Sequence, residues 1–287
     1  MIAEKDFAGR QHRGARKKQE DAYAFSDIAA RDGSERIEGL LAVLADGMGG
    51  HTCGEHASGL AVEGFVEAFH RSTGTLRERL KTAALAANDA IAKELKHQPE
   101  LEGMGTTLLA VGITKDGVEW INIGDSPLYL WRKNTLKRLN EDHSFRPVLH
   151  EMLGLGKLEP EEMAKHPLRN LLRSALTGGE IELIDQPGEP FALCPGDIVL
   201  AATDGIQTLA DDAIGAILTK ASQADAFVLA SGMLQGVLAA HHPKQDNTTV
   251  AIIRCGPEGF VAHAPVAGGD SKTDTETIVK KPALKRK

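Results

Sequence analysis

Four aspartates stand where short apolar runs begin or end. Asp46 follows LLAVLA and precedes Gly47-Met48-Gly49-Gly50, and Asp125 follows WINIG and precedes Ser126. Asp204 follows IVLAAT and precedes Gly205, while Asp246 precedes Asn247 and the run TTVAII. An Asp at the end of a buried strand, beside Gly, is held where the backbone turns. Several such ends at one edge of a sandwich would bring carboxylates close together. Like charges so placed raise one another's pKa. A hard divalent cation resolves the conflict, because Mg²⁺ and Mn²⁺ prefer oxygen ligands. A single Asp-Gly reads as a plain turn; four strand-end aspartates together with Glu20-Asp21 read as a constructed site. Upstream, Arg16 lies in GARKKQEDA, expected on a strand, where it could contact an anion held by such ions. Its planar fork can grip two phosphate oxygens at once. The same segment also reads as a solvated basic loop closed by two acids.

The elements that must position these groups are short strands with turn signals between them. Gly39–Ala45 is a buried-strand candidate, and TTLLAVGI (106–113) and VEWINI (118–123) are joined by Thr-Lys-Asp-Gly, a hairpin signal. A second hairpin fits PLYLWR (127–132), Lys133-Asn134 and the run ending at Leu139; DIVLAA (197–202) and TTVAIIR (248–254) follow later. Two helices fit residues 55–69 and 75–97. In the second, Leu76, Leu80, Ala84, Ala87, Ile91 and Leu95 form one stripe, and Thr75 with Glu78 reads as a capping box. A second pair fits 212–221 and 224–240. Hairpin-linked strands with helices grouped in pairs indicate an α+β layout of antiparallel sheets, not alternating βαβ units. Residues 142–179, rich in charge, His and Pro, read as a flap inserted over a body spanning 1–258. Residues 259–287 read as a disordered tail with a basic end.

Composition narrows the function classes. Of 287 residues, 42% are hydrophobic and 25% charged, which excludes wholesale disorder. No apolar run approaches the ~20 residues of a membrane span, and Met1–Arg10 has no signal-peptide core. Cys53, Cys194 and Cys255 are an odd, scattered set, which argues for a reducing cytoplasm. The last 20 residues hold six basic and three acidic groups, so the preceding 267 carry a net −10 against −7 for the whole chain. An acidic body disfavours general nucleic-acid binding.

Taken together, the segments GARKKQEDAYAF, LLAVLADGMGGHTCGEHAS, GMGTTLLAVGI, WINIGDSPLYLWR, EDHS, RNLLRSALTGG, CPGDIVLAATDGIQ and DNTTVAII resemble, in order, the metal-dependent protein phosphatases of the protein phosphatase 2C type in their bacterial form. The likeness covers about residues 10–256. It implies a four-layer αββα sandwich, two antiparallel β-sheets flanked by antiparallel helix pairs, with two Mn²⁺ or Mg²⁺ ions at one end. By that resemblance Asp46 bridges the ions, the Gly47 carbonyl also binds, and Asp204 and Asp246 complete one shell. Glu20 and Asp21 serve the other ion directly or through water. Asp125 supports a third, weaker metal site, and Arg16 holds the substrate phosphate.

The implied reaction is hydrolysis of phosphoserine and phosphothreonine esters by a metal-bridging hydroxide, without a phosphoenzyme. Phosphoproteins and a cognate bacterial Ser/Thr kinase are the implied partners; a monomer is the default. Two departures stand out. Gln19 replaces the usual Asn before the acidic pair, a change expected to affect a turn. Met48 occupies the place of the animal-type His and cannot donate a proton, leaving water, His51 or His143 as donor. Two alternatives differ in class: a catalytically weak relative that binds phosphoproteins, and a metal-dependent phosphodiesterase.

Overall fold

The alternation of side chains along each apolar run decides the architecture. A computed structural model describes residues 1–32, 35–49, 53–256 and 278–280. In strand β3 (Glu35–Met48), Leu41, Val43 and Ala45 enter one core cluster, whereas Leu40, Ala42 and Leu44 enter another. Strand β9 (Ile198–Ala202) divides likewise, with Ile198, Leu200 and Ala202 on one side and Val199 and Ala201 on the other. A strand buried on both faces reads as a continuous apolar run, since neither face meets water. Each sheet is therefore covered on one side by helices and on the other by the second sheet.

One sheet has the order β1 (Phe7–His12), β10 (Thr248–Arg254), β9, β7 (Leu128–Arg132), β8 (Thr135–Arg138). The other runs β11 (Ile278–Lys280), β2 (Asp21–Asp32), β3, β5 (Leu108–Thr114), β6 (Gly117–Ile123), and the short β4 (Gly105–Thr106) pairs the end of β3. All these pairings are antiparallel. Helices α1 (Cys53–Arg71) and α2 (Leu76–His97) cover the second sheet, and α5 (Asp211–Lys220) and α6 (Ala226–Ala239) cover the first. The expected αββα sandwich is thus the observed one.

Local signals held where they rested on chemistry. Thr75 caps α2: its hydroxyl accepts from the Glu78 N–H, and the Glu78 carboxylate accepts from the Thr75 N–H at 3.0 Å. Lys133 and Asn134 both have positive φ, 49° and 63°, as a two-residue hairpin of the twisted kind demands. Between β6 and β9, the 142–179 segment carries the short helices α3 (Arg146–Gly154) and α4 (Pro160–Lys165).

Two expectations are corrected. Arg16 lies in the irregular turn between β1 and β2, not on a strand. Gly14, at φ +62°, brings that turn so close to Gln245 and Asp246 that an added Cβ would stand 2.3 Å from the Asp246 carbonyl. Within the segment assigned to a structureless tail, Ile278–Lys280 form β11 against Tyr23–Phe25. A three-residue edge strand needs only main-chain partners, so it leaves no periodic pattern to read. The rest of 259–287 lies outside the described residues. Among the described residues no helix is long and apolar enough to cross a membrane.

Candidate metal centre

Strand register brings the acids together. Asp21 opens β2 and lies directly opposite Asp46 near the end of β3. Asp46 has the parity of Leu40, Ala42 and Leu44, and Asp21 that of Tyr23 and Phe25, the residues of the layer between the sheets. Both therefore belong to the inter-sheet face, at one end of the sandwich. From the other sheet, Thr203 just beyond β9 and Thr249 in β10 share the parity of its inward residues. Their hydroxyls donate to Asp21 Oδ2 at 2.9 and 2.7 Å. Asp204 follows β9 at the start of a 3-10 turn, and Asp246 precedes β10.

A cavity of about 630 Å³ opens at this end, walled by Arg16, Glu20, Asp46, Gly47, Asp125, Asp204 and Asp246. Asp21 is buried behind it. The 142–179 segment supplies a further wall through Asn170–Ala175 and Thr177, with Glu180 and Glu182 beyond. Gly47 cannot be replaced without a shift: a Cβ there would meet the Gly54 carbonyl oxygen at 2.0 Å and that of Glu20 at 2.5 Å.

Crowding raises the acids' affinity for protons. Asp21 is pushed up to about 7, chiefly by burial, against the pull of its two threonine hydroxyls. Asp125 also rises to about 7 through burial and the charge of Asp204. Burial and the charges of Asp21, Asp204, Asp125 and Asp246 lift Asp46 well above the usual carboxylate range. Glu20 and Asp204 move the same way, again with burial as the largest cause.

Among the described residues, no three acidic, imidazole or thiol groups converge on a single point. Two of the carboxylates bond to protein donors. Asp246 accepts from Arg16 Nη2 at 2.5 Å and from the Asn247 N–H at 2.8 Å, and Asp125 pairs with Arg146 at 3.1 Å. The donor set nevertheless suits a hard divalent ion. It consists of oxygens alone, the acids raise one another's pKa, and Asp21 Oδ1 is buried without a hydrogen-bond partner.

Some functional groups were not legible beforehand. Asn247 fastens the Arg16 turn: its Oδ1 accepts from the Glu20 N–H at 2.7 Å, and its Nδ2 donates to the Arg13 and Lys18 carbonyls at 2.8 and 2.9 Å. Its place after a strand-end Asp was the available signal. Replacing it with Ala leaves those groups unpaired and should cost about 1–3 kcal/mol in urea unfolding; a cost below a few tenths would show that the turn is held by other contacts. Gln19 supports the same segment, its side-chain oxygen accepting from the Asp21 N–H at 3.2 Å, so the departure from Asn still serves the turn. Arg146 carried no sequence signal.

The proton-donor candidates separate. His143 is buried behind Gly124, whose N–H approaches its Nδ1 at 3.3 Å, and it is not among the cavity walls. Burial lowers its pKa, keeping it neutral. His51 lies outside the described residues. Met48 lines the cavity but has no proton to give.

Comparison with known proteins agrees with this layout. A family model described as Protein phosphatase 2C matches residues 8–224. The serine/threonine protein phosphatase PstP of Mycobacterium tuberculosis is 32% identical over 239 residues, covering 83% of this chain but only 45% of that protein. The chain thus spans less than half the length of that relative. A serine/threonine phosphatase of Listeria welshimeri is 32% identical over 224 residues, covering 74% of this chain and 83% of its own. The crystal structure of M. tuberculosis PstP/Ppp superposes with a TM-score of 0.69 at 32% identity, over 87% of this chain and 98% of that one. The catalytic domain of PstP in complex with two manganese ions superposes with a TM-score of 0.66 at 32% identity, over 86% and 96%.

Proposed function

Because the chain belongs to the protein phosphatase 2C family, we propose that it is a metal-dependent serine/threonine phosphoprotein phosphatase using Mn²⁺ or Mg²⁺. One observation carries this reading: Glu20, Asp46, Asp125, Asp204, Asp246 and the Arg16 guanidinium wall a single cavity at the end of the sandwich. Glu20, Asp21, Asp46, the Gly47 carbonyl, Asp204 and Asp246 would hold two ions. When bound, such ions supply Lewis acidity and make water acidic enough to lose a proton near neutral pH. Arg16, at the cavity rim, orients the phosphoryl group and spreads the charge growing on its oxygens. Water attacks phosphorus, the ester P–O bond breaks, and the serine or threonine oxygen takes a proton from solvent water. The buried, neutral His143 takes no part. The flap walls select the peptide.

Arg16 is paired with Asp246, yet its side chain is 53% exposed, so this pair adds little to stability. Arg16→Ala should lower kcat/KM for an aryl phosphate by about 10²-fold, with the melting temperature unchanged. A variant with wild-type kcat/KM would remove Arg16 from phosphate binding.

Phosphorylated proteins, and a cognate Ser/Thr kinase acting on the same proteins, are the partners this reading entails, with no nucleic acid or membrane engaged. The protein would act in the cytoplasm as a monomer. The decisive assay compares a phosphothreonine peptide, an aryl phosphate monoester and a diester, each with Mn²⁺ and with chelator. Mn²⁺-dependent release of phosphate from the peptide and monoester is expected. Turnover of the diester alone would replace this reading with a phosphodiesterase, and peptide binding without turnover would replace it with a phosphoprotein-binding regulator.

A further inference from the structure

Arg146 occupies a position that its local surroundings do not favour. It is the first residue of α3, where the positive end of the helix dipole opposes a cation. Its side chain is nonetheless drawn inward and only 12% exposed. What holds it is a set of acids: Nη2 stands 3.1 Å from Asp125 Oδ2 and 3.7 Å from Asp204 Oδ2, and Nη1 stands 3.8 Å from Asp142 Oδ2. Arg138 completes the enclosure, donating to the Asp125 carbonyl at 3.2 Å and to Asp142 at 3.3 Å. The Asp125 carboxylate is 5% exposed, and Arg146 is the cation bonded to it.

The resemblance to the family led to the expectation that Asp125 would support a third metal ion. Resting on the metallophosphatase reading above, we infer instead that Arg146 serves as a tethered cation at the Asp125–Asp204 pair, so that this chain loads two divalent ions and leaves Asp125 out of the ligand set. An ion bound to Asp125 and Asp204 would need oxygens at about 2.0–2.2 Å. It would therefore compete for the same space as Nη2, and its charge would repel the guanidinium. A guanidinium does not lose its proton in a protein, so it answers the buried carboxylates at any working pH. Arg146 is thus a positioning residue. It holds Asp125 by a direct hydrogen bond and stands 3.7 Å from Asp204 Oδ2.

The test counts ions and does not depend on turnover. The metal-stripped 287-residue chain is titrated with Mn²⁺, and free Mn²⁺ is read by electron paramagnetic resonance. The wild type should take two ions, and Asp125→Asn in the wild-type background should also take two. Arg146→Met should open a third site, lost again when Asp125→Asn is added, while Arg146→Lys should stay at two. A wild type that binds three ions and drops to two on Asp125→Asn overturns the inference, as does an Arg146→Met variant that stays at two. If Arg146→Met does not fold, the wild-type and Asp125→Asn counts decide the matter between them. A wild type that binds no Mn²⁺ would overturn the metallophosphatase reading itself, and this inference with it.

Discussion

Asp46→Asn should lower Mn²⁺-dependent turnover of an aryl phosphate by ~10³-fold or more, about 4 kcal/mol of lost transition-state stabilisation. In chelator the same variant should melt above the wild type. Both effects come from one position. Asp46 faces Asp21 across the β2–β3 ladder, and burial with four neighbouring acids makes its ionised form costly without a counter-ion. A neutral amide of nearly the same shape removes that repulsion, so the ion-free fold gains. It also removes the charge that would bind two ions at once, so chemistry suffers. Stability and activity move in opposite directions, which a merely structural Asp would not produce. Turnover equal to wild type, or a lower melting temperature in chelator, would refute the assignment.

Chelation should destabilise the wild type, and the loss should grow with pH. At a free Mn²⁺ concentration a hundred times Kd, binding adds about 2.7 kcal/mol per site, or roughly 5–10 °C in a domain of this size. The pH dependence follows from the acids. Folded, ion-free Asp21 and Asp125 hold their protons up to about 7, whereas the ordinary carboxylate value is 3.8. Between those values the folded chain binds more protons than the unfolded one, so stability falls as pH rises. Their contribution is fully present below about pH 4 and lost as pH passes through about 7. Bound ions reverse this logic by favouring the ionised acids. Melting curves in chelator should therefore slope downward from about pH 5 to 8, and curves in saturating Mn²⁺ should be flat or rise over that range. Parallel slopes in the two conditions would mean that Asp21 does not face the ions.

The pattern behind these predictions was partly readable from residue order. Helix α2 announced itself through its apolar stripe and the Thr75–Glu78 box, both local effects within a few residues. The Lys133-Asn134 turn was legible from two polar residues between apolar runs, Asn134 being of a type that accepts positive φ, while the tight hairpin imposes it on Lys133. The strand-end acids were visible because a charge that interrupts a doubly buried apolar run has to be explained by something other than the core. β1, in contrast, carries FAGRQH, with partly exposed side chains and no clean alternation, and it is held at the sheet edge by pairing with β10.

Sequence alone placed six acids and one arginine beside strand ends and glycines, which are local properties, and the family resemblance led to the expectation that they share one chemistry. Which of them meet was decided by the tertiary structure. Arg16 reaches Asp246 across 230 residues, and Asp21 takes hydroxyls from Thr203 and Thr249 on the opposite sheet. Asn247 and Arg146 gained their roles in the same way. An Asn after an Asp reads as a turn, and an Arg beside a Pro in a charged segment reads as solvated surface. Each becomes part of the site only when folding removes water from around it and leaves its polar groups to find partners in the protein. Asp125 shows the limit most clearly: its strand-end position made it a metal ligand by pattern, and a guanidinium 21 residues further on, brought in by α3, gave it another partner.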